Sequence, residues 1–374
     1  MHDLKHLPVD LALEVAQFFP DGSRVSVESL PRNPWLTSAI WLVRDDRRSI
    51  VVKRTAISCD KPDDAWSAHW TYGAHIETHW NYWKREALAY QNDIPGCFRK
   101  SGILAPAALL VQSDGDHANL WLEAVSANPA TQWRIAQYAR AANALGRAQA
   151  GLLIEKQPLP ISWLARDYLV DYSSEKPFKL NRVAEDEQWE GQLVADLLSR
   201  DLQPTLCRFG DIRQTLYQIV TDLPHTLCHN DFWTRNLFGD DSGPIFVIDW
   251  GFVGYGPIGA DIGNLIPSAA LDGFISSEDL PELETAVFDG YLEGLREGGW
   301  YGDDRLARLG MCASAVKYVW LGPAILQSAR EPNHPTYAGY GGHDIETRFR
   351  ETGRTLQFLA DWGNEATDLA ASIL

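Results

Sequence analysis

Apolar and polar positions alternate along the first 125 residues and then recur every three or four, so the chain reads as a sheet followed by helices. Leu11, Val15, Phe18 and Phe19 share a helical face that closes at Pro20-Asp21-Gly22. Val25-Ser26-Val27 alternates as a strand, and residues 38–44 and 49–54 form a hairpin across 45–48. Leu109-Leu110-Val111 and Leu120-Trp121-Leu122 make another around Ser113-Asp114-Gly115-Asp116. Between the hairpins, residues 55–77 read as an irregular insertion. Residues 77–90 follow as a helix carrying Trp80, Trp83, Ala87 and Tyr90 on one stripe. Helical periods then cover 132–153, 163–172, 186–199, 212–221, 279–296, 303–327 and 345–364.

One stretch in the helical part breaks the period. His229-Asn230-Asp231-Phe232-Trp233-Thr234-Arg235-Asn236 precedes two short apolar runs, 237–238 and 245–248, that flank a Gly/Asp/Ser/Pro turn and read as a β-hairpin ending on Asp249-Trp250-Gly251. Such a hairpin brings Asn236 and Asp249 together at its open end, with Asp231 one short loop away. Carboxylate and amide oxygens converging like this suit hard divalent cations beside a hydroxyl-activating carboxylate, the chemistry of phosphoryl transfer. Lys53 closes the apolar run Ile50-Val51-Val52; lysine is depleted within strands, so it either meets an anionic partner or lies solvated at an edge. Glu86 lies beside the Trp80/Trp83 stripe, pointing inward or exposed.

The spacing resembles the H-x-D-x-x-x-x-N and D-x-G motifs of protein-kinase-like enzymes. The downstream Gly-Tyr-Gly-Pro-Ile-Gly-Ala-Asp-Ile-Gly-Asn-Leu (254–265) is similar to the G-P-x-x-x-D stretch of aminoglycoside phosphotransferases and choline-kinase-like small-molecule kinases, with no activation segment before it. That resemblance implies an α+β, two-lobed protein-kinase-like fold: a small N-terminal antiparallel β-sheet lobe with one helix (1–124) and a large, mostly helical C-terminal lobe (125–374). It implies ATP and Mg2+ as cofactors, Asp231 as the catalytic carboxylate, and Asn236 and Asp249 as metal ligands. Lys53 would meet nucleotide phosphates and pair with Glu86, while the main chain of Glu123 and Val125 would meet adenine. His229 would brace its loop, and Asp261 would bond backbone nearby. The chain departs from the pattern in three places: the triplet is His-Asn-Asp, Gln149 stands for His in an L-G-x-x-H-A helix, and the loop 30–38 has no glycine. Thr37 and Ser38 either offer hydroxyls to the phosphates or form a turn before the strand.

Composition narrows the partners. The 374 residues, 45% hydrophobic, can bury a large core. A net charge of −17 argues against nucleic acid. The five cysteines (59, 97, 207, 228, 312) lack metal-ligand spacing and read as reduced core thiols, and His69, His75 and His79 read as packing or surface imidazoles. No signal peptide and no run of roughly 18 apolar residues is evident, so a cytoplasmic location and no membrane partner are expected. The expected acceptor is a small-molecule hydroxyl on a sugar, amino sugar, aminoglycoside or amino alcohol, served by aromatics (Trp250, Phe252, Tyr255, Tyr318, Trp320) and carboxylates (Asp171, Glu293, Glu346). A protein kinase and a catalytically silent nucleotide-binding module are the alternatives. Oligomeric state is not legible.

Overall fold

The structure, a computed structural model, describes residues 7–19, 24–32, 36–57, 65–153, 160–176, 178–330 and 344–373. In chain order it begins with α1 (Val9–Phe18), β1 (Ser26–Ser29), β2 (Thr37–Arg44), β3 (Ser49–Ala56), α2 (Ala65–Thr71), α3 (Arg85–Gln91), β4 (Ile103–Leu104), β5 (Ala108–Asp114) and β6 (His117–Glu123). Five strands form one antiparallel sheet in the order β1-β2-β3-β6-β5. Successive side chains of a strand point to opposite faces. Trp41, Val43, Ile50, Val52 and Trp121 therefore share one face and pack with Leu11 and Val15 of α1. Ala118, Leu120 and Leu122 face the other way, onto Trp83 and Ala87. Lys53 pairs with Leu120 across the sheet, so strand alternation alone aims it at α3.

The remainder is mostly helical: α4 (Ile135–Gly151), α5 (Tyr168–Ser174), α6 (Gln192–Leu197), α7 (Leu202–Asp211) and α8 (Arg213–Asp222) come first. Short strands β7 (His225–Cys228), β8 (Leu237–Phe238), β9 (Ile245–Val247) and β10 (Gly254–Pro257) follow, then α9 (Ala260–Leu271), α10 (Leu280–Glu297), α11 (Asp304–Ala313), α12 (Leu321–Arg330) and α13 (Ile345–Ile373). The β8–β9 hairpin matches the one read from sequence, and β4 adds to it in parallel. β7 pairs with β10, so the loop from His229 to Asn236 is anchored at both ends by strands. Helices α4 and α10 pack backbone to backbone: a Cβ on Gly146 would strike Tyr291 O, and one on Gly294 would strike Asn143 O.

Four helix expectations change. The stripe at 77–90 is helical only from Arg85, because the buried Arg85 guanidinium gathers the carbonyls of His79 and Trp80 (2.6 Å each), which breaks up the preceding turns. Part of the expected irregular insertion is instead helix α2. The expected helix 303–327 is broken at 314–318, where Ser314 Oγ bonds Gly310 O at 2.7 Å, a back-bond that bends helices. The expected helices 163–172 and 186–199 shorten to α5 and to a 3-10 turn followed by α6. Contrary to expectation, the stretch Asp304–Arg330 is apolar enough to cross a membrane (mean hydropathy 1.4), but its apolar window is 100% buried within the protein. Cys228 and Cys312 are core thiols, whereas Cys97 is exposed.

Candidate active site

Three elements meet at Lys53. Its Nζ lies 2.6 Å from Glu86 Oε2 on α3 and 2.8 Å from Asp249 Oδ1 at the end of the β8–β9 hairpin. Arg85, beside Glu86, fixes α3 to the helical part by donating to Trp163 O at 2.7 Å. One cation thus serves two carboxylates with opposite outcomes. Burial raises the Glu86 carboxyl, and Lys53 only partly offsets it. Burial works the same way on Asp249, but there the Lys53 ammonium prevails and holds the carboxyl below its ordinary value. Asp249 has φ +62°, a left-handed conformation that aspartate tolerates better than most residues, at a cost of about 1 kcal/mol or more.

Across the cleft, Asn236 Nδ2 donates to Asp231 O (3.0 Å) and to Asp231 Oδ2 (2.9 Å). This orients the Asn236 amide with its nitrogen on the loop, so its oxygen is the atom suited to a cation. Ile248 N donates to Asn236 O at 3.0 Å, tying that loop to the strand that delivers Asp249. Burial, reinforced by the charge of Asp249, raises Asp231 to about 6, against the pull of Lys317, Asn236 and Lys53. Among the described residues no cluster of three or more His, Cys, Asp or Glu side chains could cage a metal. One carboxylate and one amide oxygen are instead the donor set of a hard cation that shares its shell with water and phosphate oxygens, so Asp249 and Asn236 fit Mg2+.

The loop itself is held from below. Asp261 accepts from His229 N (2.9 Å), Asn230 N (2.8 Å) and Gln149 Nε2 (2.9 Å), and Tyr291 OH donates to Gln149 Oε1 at 2.6 Å. Gln149 thus does structural work where the family pattern has His. His229 accepts from Asp231 N through Nδ1 (3.3 Å), and its Nε2 lies 3.1 Å from Ile248 O. Burial lowers His229 to about 4, so it is a neutral brace. Arg235 is exposed, with its guanidinium 5.7 Å from the Trp233 ring.

Other expected residues contribute less. Ser38 Oγ donates to Arg54 O at 3.2 Å across the β2–β3 hairpin, and Thr37 opens β2 with its carbonyl bound by Arg32. Pro34 and Trp35 of the same loop lie outside the described residues. Glu123 N is bound to Ala107 O, and the exposed Glu123 carboxylate pairs with Arg48 at 3.1 Å, so its side chain does not point to a nucleotide role. Val125 N–H donates to no described group. Trp250 and Tyr255 are core: Trp250 packs edge-on against His229 at 4.7 Å. Glu293 and Glu346 are exposed, on α10 and α13. His69 stacks on Trp80 at 5.3 Å, and His79 Nε2 lies 2.9 Å from Glu175 Oε1, which makes both packing residues.

Sequence reasoning missed two residues. Asn264, one helical turn after Asp261, donates from Nδ2 to Phe232 O at 3.3 Å, so both side chains on that face of α9 serve the loop. Lys317 donates to Asn264 Oδ1 at 2.6 Å. The signal for it was present, since Lys317 is the single charged residue between Arg308 and Arg330.

The sheet, the braced loop and the Lys53–Glu86–Asp249 junction define a kinase-like phosphotransferase. The model of the phosphotransferase enzyme family, APH, matches residues 33–301. The chain belongs to that family, whose members are ATP-dependent phosphotransferases acting on hydroxyl groups. No curated protein matches the sequence. Among solved structures, the chain is similar to the amicoumacin kinase hAmiN in complex with AMP-PNP, Ca2+ and Ami, at 15% identity and TM-score 0.51 over 97% of this chain and 94% of that one. It is also similar to spectinomycin phosphotransferase in complex with ADP and spectinomycin, at 12% identity and TM-score 0.55 over 96% of this chain and 99% of that one. These two likenesses establish the shared fold.

Proposed function

We propose that the protein is a small-molecule kinase that moves the γ-phosphoryl group of ATP to a hydroxyl of a sugar-like acceptor. The observation that carries this reading is Lys53 held between Glu86 and Asp249, opposite Asp231 and Asn236. Lys53 binds phosphate oxygens, and Glu86 holds it in place. Mg2+, on Asp249 and Asn236, would neutralise charge on the transferred group. Asp231 accepts the hydrogen bond of the acceptor hydroxyl and aims its oxygen at the γ-phosphorus. The bond from the bridging oxygen to that phosphorus breaks as the new P–O bond forms, the hydroxyl proton goes to Asp231, and ADP leaves.

The nucleotide lies between the sheet, residues 1–124, and the helical part, residues 125–374. Its adenine meets the Glu123 carbonyl and the Val125 N–H. Ser38 serves the hairpin, which leaves the Thr37 hydroxyl as the candidate for the phosphates. A small acceptor is favoured over a peptide because β10 and α9 follow Asp249 directly, with no segment between them to hold a substrate chain. Of the expected acceptors, sugars suit the rings of Tyr168, Tyr172 and Phe252 beside the cleft, whereas amines would meet the ammonium group of Lys317. Incubation with Mg–ATP and a panel of sugars, amino sugars, aminoglycosides and amino alcohols should give acceptor-dependent ADP formation that Asp231→Ala abolishes. ADP release indifferent to every small molecule and to Asp231 would refute the reading.

A further inference from the structure

Helix α9 grips the catalytic loop on both sides of Asp231. Before it, Asp261 accepts from His229 N and Asn230 N at 2.9 and 2.8 Å; after it, Asn264 Nδ2 donates to Phe232 O at 3.3 Å. The first grip is braced by Gln149 and Tyr291. The second has a brace of its own. Lys317 Nζ and Tyr318 OH both donate to Asn264 Oδ1, at 2.6 and 2.7 Å. Two donors on one atom of a side-chain amide require that atom to be the oxygen, which leaves the nitrogen for Phe232 O.

Consecutive residues of a regular α-helix lie about 100° apart around its axis, so neighbours seldom reach the same group. Lys317 and Tyr318 do so at the break in the helix at 314–318. Asn264, Lys317 and Tyr318 are all buried. The tyrosine hydroxyl alone would satisfy Asn264 Oδ1, so a lysine beside it brings something more. A buried ammonium has to be met by negative charge, and the carboxylates that face this one are Asp231, Asp261 and Asp272. The rings of Tyr168 and Tyr172, centred 5.3 and 5.2 Å away, confine it further. Of the two lysines that favour the ionised Asp231, Lys317 acts more strongly than Lys53. The same side chain thus fixes the Asn264 amide and sets a cation near the catalytic carboxylate.

We infer that Lys317 and Tyr318 are positioning residues for phosphoryl transfer: through Asn264 they hold the Phe232 carbonyl, and so set where the neighbouring Asp231 carboxylate meets the acceptor hydroxyl. A misplacement on the order of 1 Å at a reacting group can slow a reaction by about a hundredfold, so this hold bears on turnover. Nucleotide affinity is a separate matter, because Lys53 and Asp249 take no part in these bonds. The inference rests on the phosphotransfer reading above and adds two residues to it.

The test compares the full wild-type chain with Lys317→Met, Tyr318→Phe and the double variant. Mg–ATP is offered with glucose, glucosamine, kanamycin and choline, and the fastest acceptor is carried into full kinetics. Lys317→Met should lower kcat by about tenfold to a hundredfold and Tyr318→Phe by about threefold to tenfold, with KM for Mg–ATP within about threefold of wild type in both. Because both side chains act on one amide, the double variant should lose less than the product of the two. Amide hydrogen exchange of the unliganded proteins, read by mass spectrometry, should rise by about tenfold across residues 229–236 in each variant while residues 37–56 exchange as in wild type. Tyr318→Phe removes a single oxygen atom and carries the test if Lys317→Met does not fold. Wild-type kcat in Tyr318→Phe, KM for Mg–ATP worsening as much as kcat, multiplicative losses in the double variant, or unchanged exchange at 229–236 overturns the inference. The exchange needs no acceptor, so the two failures stay apart: a wild type inactive on every acceptor refutes the kinase reading, and unchanged exchange refutes the brace whether or not phosphate is transferred.

Discussion

The ammonium nitrogen of Lys53 lies 2.6 Å from Glu86 Oε2, in a contact where neither side chain is more than 8% exposed. Strand alternation aims Lys53 at α3, and Arg85 pins α3 against the helical part, so the pair reports how the sheet docks onto the catalytic loop. Breaking a buried pair from one side leaves an uncompensated charge, at a cost of about 3 kcal/mol or more. Lys53→Met and Glu86→Gln should each lower kcat/KM by about tenfold to a hundredfold, with the double variant losing less than the product of the two. A double-mutant cycle on turnover measures this. Multiplicative losses would mean the two side chains act independently.

In the proposed mechanism Asp249 and Asp231 divide the work. Asp249→Ala should abolish transfer together with Mg2+-dependent nucleotide binding, because its carboxylate is proposed to hold the metal–phosphate complex. Asp231→Ala should keep ATP affinity within about threefold while losing most of kcat, because Asp231 meets only the acceptor. Calorimetry with AMP-PNP and Mg2+ separates the two. Equal loss of nucleotide binding in both variants would contradict the division.

The proton balance of Asp231 sets a pH dependence. The carboxyl must be ionised to accept the hydroxyl proton, and burial raises it to about 6. The rate at low acceptor concentration should therefore fall as pH drops through about 6 and level off above it. In the complex with Mg2+ the cation favours the ionised form, so the inflection in kcat should move to lower pH. His229, neutral down to about 4, should add no second inflection near neutrality. A profile flat between about pH 5 and 7 would remove Asp231 from this role.

Stability and loop geometry are joined through α4. Gly294 of α10 permits the close backbone approach to Asn143 of α4, the helix that carries Gln149, and Gln149 supplies one of three donors to Asp261. Gly294→Val should destabilise the fold by about 1–3 kcal/mol through overpacking. Gln149→Leu should cost a similar amount by leaving buried Asp261 one donor short, and should lower kcat more than ATP affinity. Denaturant unfolding and steady-state kinetics on the same preparations check both. Unchanged stability in Gly294→Val would mean the helices part without cost.

Much of the site was legible because its residues lie close in sequence or on simple periods. Asp231, Asn236 and Asp249 sit around one hairpin, so spacing brought them together, whereas Lys53 lies inside β3 and its role was expected from the family resemblance. The helical boundaries were less legible where side chains capture backbone. Arg85 takes carbonyls from the expected helix at 77–90, and Ser314 bends the expected helix at 303–327. That second bend turns Lys317 and Tyr318 toward Asn264, a relation between segments distant in sequence that no local pattern carries. The aromatic residues were misassigned for a related reason. Trp250 and Phe252 are two positions apart, yet one is core behind His229 and the other faces the cluster at Tyr168.

In the proposed reaction a phosphoryl group passes to a small hydroxyl compound held by Asp231. The most direct measurement supplies γ-labelled ATP and Mg2+ with a preferred acceptor and separates small products from protein. Label should appear in a small phosphate ester, dependent on Mg2+ and lost in Asp231→Ala. Label recovered on polypeptide, or in a small product formed equally well by Asp231→Ala, would contradict it.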